Sequence, residues 1–443
     1  MQRIFWLVLA LLLSACGGGS GGGASVSSFS QPAGEDLSDI SAYVSNTNYA
    51  QVLADCVRVE SVTESCSLDD LPLLGQEHSS PSIDQIMARL VVSHDWMGER
   101  FRAYLQQLSP ETFSHVSQLL TSVTAIVIDD DIRPSYYTTL TAAIYLDPAE
   151  LWLTNAEKDT INRQQDYRAD FDNLLNVRTL WRYVIANNYA YSYYSLNGSA
   201  ERSLSEIILP FSELLFHELA HAKDFIPLDI ALTTSTAIKP AQLASSHRAS
   251  RSSTQLQSLS PLNDSVLFDL ADVMYRGEAA SISLQLLSAD EVGDLFEVEG
   301  ANDHYAYSTA AEDFAMLFEE AMMKYHFDAD RDVAFSVAPA DETNCQDYLI
   351  GWGVRHRLGD VNVKTRAAWT VSELLPTGSF SLFFQDFPLP IAMVQGVNWC
   401  DNLLLSPLSG RGAAAEAVSS SAAAPTVEDI KVVIDPDQWL RPH

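Results

Sequence analysis

The spacing of hydrophobic residues changes along the chain and divides it into predicted helices and strands. Apolar residues recur every three or four positions, as in amphipathic helices, over residues 82–105, 166–188, 210–226 and 308–325. Stretches rich in β-branched residues, which favour strands, cover residues 121–129 and 136–146. Helices come first, strands follow and helices return, an order that indicates an α+β fold.

Other stretches lack a clear period. Residues 235–265 are rich in Ser, Thr and Gln, which predicts a long irregular insertion. Residues 342–400 predict a mixture of short strands and turns. We therefore expect one main domain over residues 37–407, in which residues 37–120 form either a helical subdomain or a cap. Residues 408–443, with their Ala- and Ser-rich run, predict a low-complexity tail.

The N-terminus has the features of an export signal. Residues 1–16 contain Arg3, then an apolar run too short to span a bilayer, then the sequence LSAC ending at Cys16. This ending resembles the lipobox of bacterial lipoproteins, in which the cysteine is lipidated; an ordinary signal peptide is the alternative. Residues 17–36 are rich in Gly and Ser and predict a flexible linker. By the same resemblance, Gly17 favours the outer membrane of the cell envelope, on its periplasmic or surface side.

The charge limits the possible partners, and the cysteine content predicts disulfides. The formal net charge of −32 argues against a nucleic-acid partner, because the phosphate backbone is itself negative. Besides Cys16 the chain has an even set of four cysteines, namely Cys56, Cys66, Cys345 and Cys400. Three disulfide pairings are open to them in an oxidising compartment, and the most local choice is Cys56–Cys66 with Cys345–Cys400.

One short motif carries catalytic chemistry. The stretch FHELAHAKDF places His217 and His221 four residues apart, on one face of a predicted helix. Their ring nitrogens can converge on one metal ion, and Glu218 lies beside them. This is the H-E-x-x-H pattern of zinc metallopeptidases. The alternative is a core helix whose histidines have only a structural role.

The sequence YAYSTAAEDFAM supplies a third ligand, Glu312, at the start of a predicted helix. This stretch resembles the third-ligand helix of gluzincins, in particular the Mlc titration factor peptidases and the anthrax lethal factor catalytic domain. In that group a tyrosine several residues earlier helps to stabilise the oxyanion. Tyr305 has the matching spacing, and Tyr307 is the second choice.

The resemblance implies a zincin-like metallopeptidase domain with a mainly helical N-terminal part and a small mixed sheet. It implies that Zn²⁺ is held by His217, His221 and Glu312. Glu218 would activate a zinc-bound water as general base, and Tyr305 would assist the oxyanion.

The sequence leaves the roles of several carboxylates open. Glu278 is a rival third ligand. Thr309 and Glu312 also have the spacing of a capping box, which would engage the Glu312 carboxylate with backbone N–H groups. Asp224 is either a hydrogen-bond acceptor that orients His221 or a surface carboxylate.

We therefore expect a zinc-dependent metallopeptidase that hydrolyses peptide bonds in peptide or protein substrates and is anchored to a membrane through lipidated Cys16. The alternative is a non-enzymatic envelope lipoprotein, a binding or assembly module with a degenerate zinc site.

Overall fold

A computed structural model describes residues 36–405 except 165, 341 and 343. The predicted signal peptide with Cys16, almost all of the predicted linker and the predicted tail lie outside these residues. The described part is a mixture of helices and two small sheets, in agreement with the α+β prediction. Within it, no helix combines the length and the apolar character that crossing a bilayer requires.

The first sheet is mixed and is formed by the N-terminal third of the described chain. Its strands are β1 (Ser41–Ala42), β2 (Leu90–Val92), β3 (Ile126–Ile128), β4 (Tyr136–Thr138) and β5 (Ala143–Leu146). They lie in the order β1-β2-β3-β5-β4, in which β2, β3 and β5 are parallel and the two outer strands antiparallel. Residues 37–120 thus contribute β1 and β2 to a sheet that they share with later residues.

The second sheet is antiparallel throughout. Its strands are β6 (Val177–Ile185), β7 (Asn188–Tyr189), β8 (Asp330–Val337), β9 (Ile350–Arg355) and β10 (Ile391–Ala392). They lie in the order β10-β9-β8-β6-β7, so that β8 is central.

Helices account for most of the remaining regular structure. The α-helices before the second sheet are α1 (Leu53–Val57), α2 (Leu74–Glu77), α3 (Ile83–Met87), α4 (Asp95–Gln107), α5 (Pro110–Leu119) and α6 (Asn155–Lys158). Those after β7 are α7 (Leu204–Phe225), α8 (Leu228–Thr233), α9 (Pro240–Ser246), α10 (Ser252–Leu259), α11 (Ser265–Arg276), α12 (Ile282–Gln285), α13 (Ala289–Glu297), α14 (Ala310–Phe327), α15 (Val361–Leu374) and α16 (Ser381–Asp386).

The two longest helices of the described chain, α7 and α14, pack against each other and connect the sheets. α7 contacts β4 and β5 of the first sheet, whereas α14 contacts β8 of the second. Their apolar faces lie in the largest hydrophobic cluster, which buries residues such as Phe211, Leu215, Phe314 and Phe318 completely. Polar side chains between the two helices, such as His217 and Glu312, are buried as well.

Helix α7 begins six residues before the predicted start at Pro210. Glu206 accepts a hydrogen bond from the backbone N–H of Ser203 at 2.7 Å, which forms a capping box at the true N-terminus. Pro210 consequently lies inside the helix instead of in its first turn. The helix ends at the predicted place, before Pro227, because the residue preceding a proline disfavours helical backbone.

The predicted helix over residues 166–188 is wrong. Residues 167–174 form turns and Val177–Ile185 forms β6. This strand lies inside the sheet and is covered on both faces, so it carries apolar residues on both of them. Apolar residues on both faces of a strand can imitate helical spacing.

Four other stretches differ from what their patterns predict. Residues 82–105 form α3, β2 and α4, because the buried sequence Leu90-Val91-Val92 enters the first sheet. Residues 136–146 form two strands, β4 and β5. Residues 235–265 are not an irregular insertion, since they contain α9 and α10. Residues 342–400 contain the predicted short strands, β9 and β10, but also the helices α15 and α16.

Both predicted disulfides are present in the structure. Cys56 is bonded to Cys66, and Cys345 to Cys400, with Cα–Cα distances of 5.4 and 5.5 Å. The most local of the three pairings is therefore confirmed.

Candidate metal centre

Helices α7 and α14 bring three buried ligand atoms together. Nε2 of His217 lies 3.0 Å from Oε2 of Glu312, and Nε2 of His221 lies 3.2 Å from the same oxygen. The two Nε2 atoms are themselves 3.2 Å apart. The three side chains could hold a metal ion, because each directs one ligand atom at a common point.

The size of this triangle fits a small divalent cation. In a tetrahedral site with bonds of about 2.0 Å, neighbouring ligand atoms are separated by about 3.3 Å. The observed separations of 3.0–3.2 Å are close to that value. Two imidazole nitrogens and a carboxylate oxygen are also a donor set that zinc accepts. The residues present therefore fit the metal that the motif predicts.

The carboxylate of Glu312 is directed at the histidines and not at the helix terminus. Thr309 caps α14 by accepting a hydrogen bond from the backbone N–H of Glu312 at 3.0 Å. Only this half of the capping box is formed, because the Glu312 carboxylate faces His217 and His221. Glu278, the rival third ligand, is exposed and does not belong to the buried group.

The electrostatics of the group favour bound positive charge. Burial disfavours ionisation of Glu312, yet His221 and His217 outweigh it and hold the pKa of this carboxyl below its usual range. Burial likewise disfavours protonation of His217, but hydrogen bonds to Glu312 and Glu319 raise its pKa to about 10. The carboxylates thus create a negative potential at the ring nitrogens, which a cation would neutralise.

Glu218 lies next to the ligands, but one of its carboxylate oxygens is not hydrogen-bonded as theirs are. It is 2% exposed, and its Oε2 has no hydrogen-bond partner among the residues that the structure describes. Burial raises the pKa of this carboxyl, while the neighbouring His217 and His221 act in the opposite direction. An unsatisfied buried carboxylate oxygen is costly, which is typical of a functional group and not of a structural one.

A second carboxylate contacts His217 at Nδ1, the ring nitrogen that does not face Glu312. Oε2 of Glu319 lies 3.2 Å from Nδ1 of His217, while its Oε1 accepts hydrogen bonds from Tyr183 and from Nη1 of Arg331, both at 2.8 Å. Glu319 follows Glu312 by seven residues and therefore lies on the same face of α14. This spacing could have singled out Glu319 in the sequence. No comparable signal marks Arg331, which reaches the site from β8.

The two candidate tyrosines have different surroundings. The ring of Tyr305 lies 6.4 Å from the ring of His217, and this side chain is 6% exposed. Tyr307 packs against Phe268 and Phe296 in a separate hydrophobic cluster. Tyr305 is therefore the tyrosine that lies beside the ligands.

Arg168 is a further charged residue near the centre that the sequence did not reveal. It pairs with Asp166 at 2.6 Å in the turn region before β6. Burial raises the pKa values of Glu218 and Tyr305, and the positive charge of Arg168 opposes both increases. Its position depends on a segment that the hydrophobic pattern had assigned to a helix.

Asp224 is buried, which excludes the surface alternative. Its two oxygens accept hydrogen bonds from the backbone N–H and the hydroxyl of Ser253, at 2.8 and 2.6 Å. It thus attaches α10 to the end of α7. A role in orienting His221 stays a prediction.

Comparison of this chain with models of protein families, with curated proteins and with solved structures found no match.

Proposed function

We propose that the protein is a zinc-dependent metallopeptidase of the gluzincin type, with a zincin-like catalytic domain. The observation that carries the proposal is the convergence of His217, His221 and Glu312 beside the buried Glu218, although Glu312 follows His217 by 95 residues in the sequence. A structural role for the two histidines does not account for Glu218, whose buried oxygen would be better replaced by an apolar group.

The ligand set would hold the ion through Nε2 of each histidine and Oε2 of Glu312. When bound there, zinc supplies a Lewis acid that polarises a carbonyl group and makes water more acidic. Glu218 would accept the proton of the attacking water and deliver it to the leaving amine nitrogen. Tyr305 keeps its proton, since burial raises the pKa of its hydroxyl far above neutral pH, and would donate a hydrogen bond to the developing oxyanion.

This enzyme would be attached to the bacterial cell envelope through lipidated Cys16 and would act on peptides or proteins. The linker of residues 17–36 would separate the catalytic domain from the membrane surface.

The test combines metal analysis with cleavage of casein and of a peptide library by the purified full-length chain. We expect about one zinc per chain, and loss of that zinc in His217→Ala. We expect Glu218→Gln to keep the zinc and to lose at least about 100-fold in cleavage rate, because the amide cannot accept the proton. Glu278→Gln is the matched control, and its rate should equal that of the wild type.

Two results would contradict the proposal. Cleavage at the wild-type rate by Glu218→Gln would remove the mechanism. Zinc binding without any cleavage by the wild type would favour the non-enzymatic envelope lipoprotein.

A further inference from the structure

A chain of buried polar contacts leads from His217 to Tyr305. Nδ1 of His217 faces Glu319, and the opposite oxygen of Glu319 accepts from Nη1 of Arg331 at 2.8 Å. Nη2 of Arg331 donates to Oδ2 of Asp303 at 2.8 Å. Oδ1 of Asp303 then accepts the backbone N–H of Tyr305 at 2.9 Å. One sequence of contacts therefore joins a ligand histidine to the candidate oxyanion donor.

The chemistry of Arg331 suits its central position in this series of buried contacts. Its side chain is 0% exposed, as is that of Glu319, so neither charge is screened by water. A guanidinium is planar and presents fixed pairs of N–H donors, which lets it hold two carboxylates at once in defined directions. A lysine would provide a single flexible point charge instead. The ring of Trp181 lies 4.8 Å from the guanidinium and limits its movement further.

The two carboxylates belong to different elements. Glu319 lies in the middle of α14, whereas Asp303 precedes the short 3₁₀ helix His304–Tyr307 that carries Tyr305. Arg331 comes from β8, a third element. The guanidinium therefore fixes the tyrosine-bearing turn relative to the helix that supplies Glu312 and Glu319.

We infer that Arg331 is a positioning residue that couples the metal-binding histidine to Tyr305, and that Asp303 transmits the coupling. The inference deepens the proposed function and rests on its metal site. An ion held by His217 immobilises this ring, which restrains Glu319 and, through Arg331, Asp303. Metal binding should consequently order the turn around Tyr305, although no residue of that turn is a ligand.

The experiment measures zinc affinity by competition with a chelator and amide hydrogen exchange of residues 303–308, with and without zinc, in the full-length chain. In the wild type we expect zinc to slow exchange in this turn. Arg331→Met should lower zinc affinity about 10- to 100-fold and abolish the slowing. Asp303→Asn should abolish the slowing as well, but keep zinc affinity within about threefold, because Glu319 still holds His217.

Arg355→Met is the matched control. Arg355 is a buried arginine on the neighbouring strand and pairs with Asp332, the residue that follows Arg331, at 2.6 Å. Asp332 also pairs with Arg182 and remains compensated when Arg355 is removed. This variant loses a similar buried ion pair but keeps every contact between His217 and Tyr305. Its zinc affinity and its zinc-dependent protection should therefore equal those of the wild type.

Three results would overturn the inference. They are wild-type zinc affinity in Arg331→Met, zinc-dependent protection of the turn in Asp303→Asn, and a loss of zinc affinity and protection in Arg355→Met as large as that in Arg331→Met. If Arg331→Met does not fold, the near-isosteric Asp303→Asn decides the matter alone. Zinc-dependent protection in a wild type that cleaves no peptide would refute the peptidase proposal and leave the coupling intact, whereas a wild type without zinc binding would overturn both.

Discussion

Nδ1 of His217 lies 3.2 Å from Oε2 of Glu319, while Nε2 of the same ring faces Glu312. A cation at the centre would replace the proton on Nε2, and the carboxylate of Glu319 would keep the remaining ring proton at Nδ1. Glu319 therefore selects the tautomer that a metal ligand needs. This contact is more specific evidence for a metal centre than the H-E-x-x-H spacing, which does not require it.

Exchanging Glu319 for glutamine should weaken metal binding. We expect Glu319→Gln to lower zinc affinity about 10- to 100-fold, because the neutral amide no longer increases the basicity of His217. Chelator competition measures the affinity. The neighbouring Glu320 is equally buried but accepts from Asn302 at 2.8 Å, so Glu320→Gln should change the affinity less than about threefold. Equal losses in both variants would mean that the effect is one of general destabilisation.

The phenol of Tyr305 should matter in the transition state and not in substrate binding. We expect Tyr305→Phe to lower kcat about 100- to 1000-fold with KM nearly unchanged, as for loss of one oxyanion donor. Tyr307→Phe should keep nearly the wild-type rate, because that ring packs in a separate cluster. Steady-state kinetics on one peptide decides between them, and a larger loss in Tyr307→Phe would reverse the assignment.

Stability should fall in mild acid because His304 is buried as a neutral ring. Its Nδ1 lies 3.1 Å from the Tyr275 hydroxyl and its Nε2 lies 3.1 Å from the Leu267 carbonyl oxygen. Burial lowers its pKa to about 4 from the ordinary 6.5. Below pH 6.5 the unfolded chain therefore takes up the proton first, and the free energy of unfolding decreases until pH 4.

The difference between these pKa values corresponds to at most about 3 kcal/mol. Urea unfolding at pH 7.5, 5.5 and 4 measures the slope, which should be smaller in His304→Gln than in the wild type. The same slope in both proteins would show that other groups cause the acid sensitivity.

The two disulfides should contribute unequally to stability. Cys345–Cys400 closes a loop with a sequence separation of 55 residues, and Cys56–Cys66 one of 10. Loop-closure entropy predicts about 4 kcal/mol for the longer loop and about 3 kcal/mol for the shorter one. Denaturant unfolding of the two double Cys→Ala variants measures both values, and a larger loss for the shorter loop would contradict the entropic explanation.

The sequence alone was sufficient for the elements that carry the ligands. The C-terminus of α7 is marked locally by Pro227 and the N-terminus of α14 by the capping residue Thr309, and the four-residue spacing places His217 and His221 on one face. These features act within a few residues of each other, so they can be recognised without knowledge of the fold. Glu312 was found through a resemblance and not from spacing.

Tertiary structure decided the rest of the site. The hydrophobic pattern over residues 166–188 predicted a helix, because β6 is covered on both faces and its apolar residues do not alternate. Arg331, Asp303 and Glu319 belong to three separate elements, and their contacts exist only because β8 docks against α14. Local periodicity reports which face of an element is buried, whereas a buried ion pair depends on which elements meet, and that is determined by the packing of the whole chain.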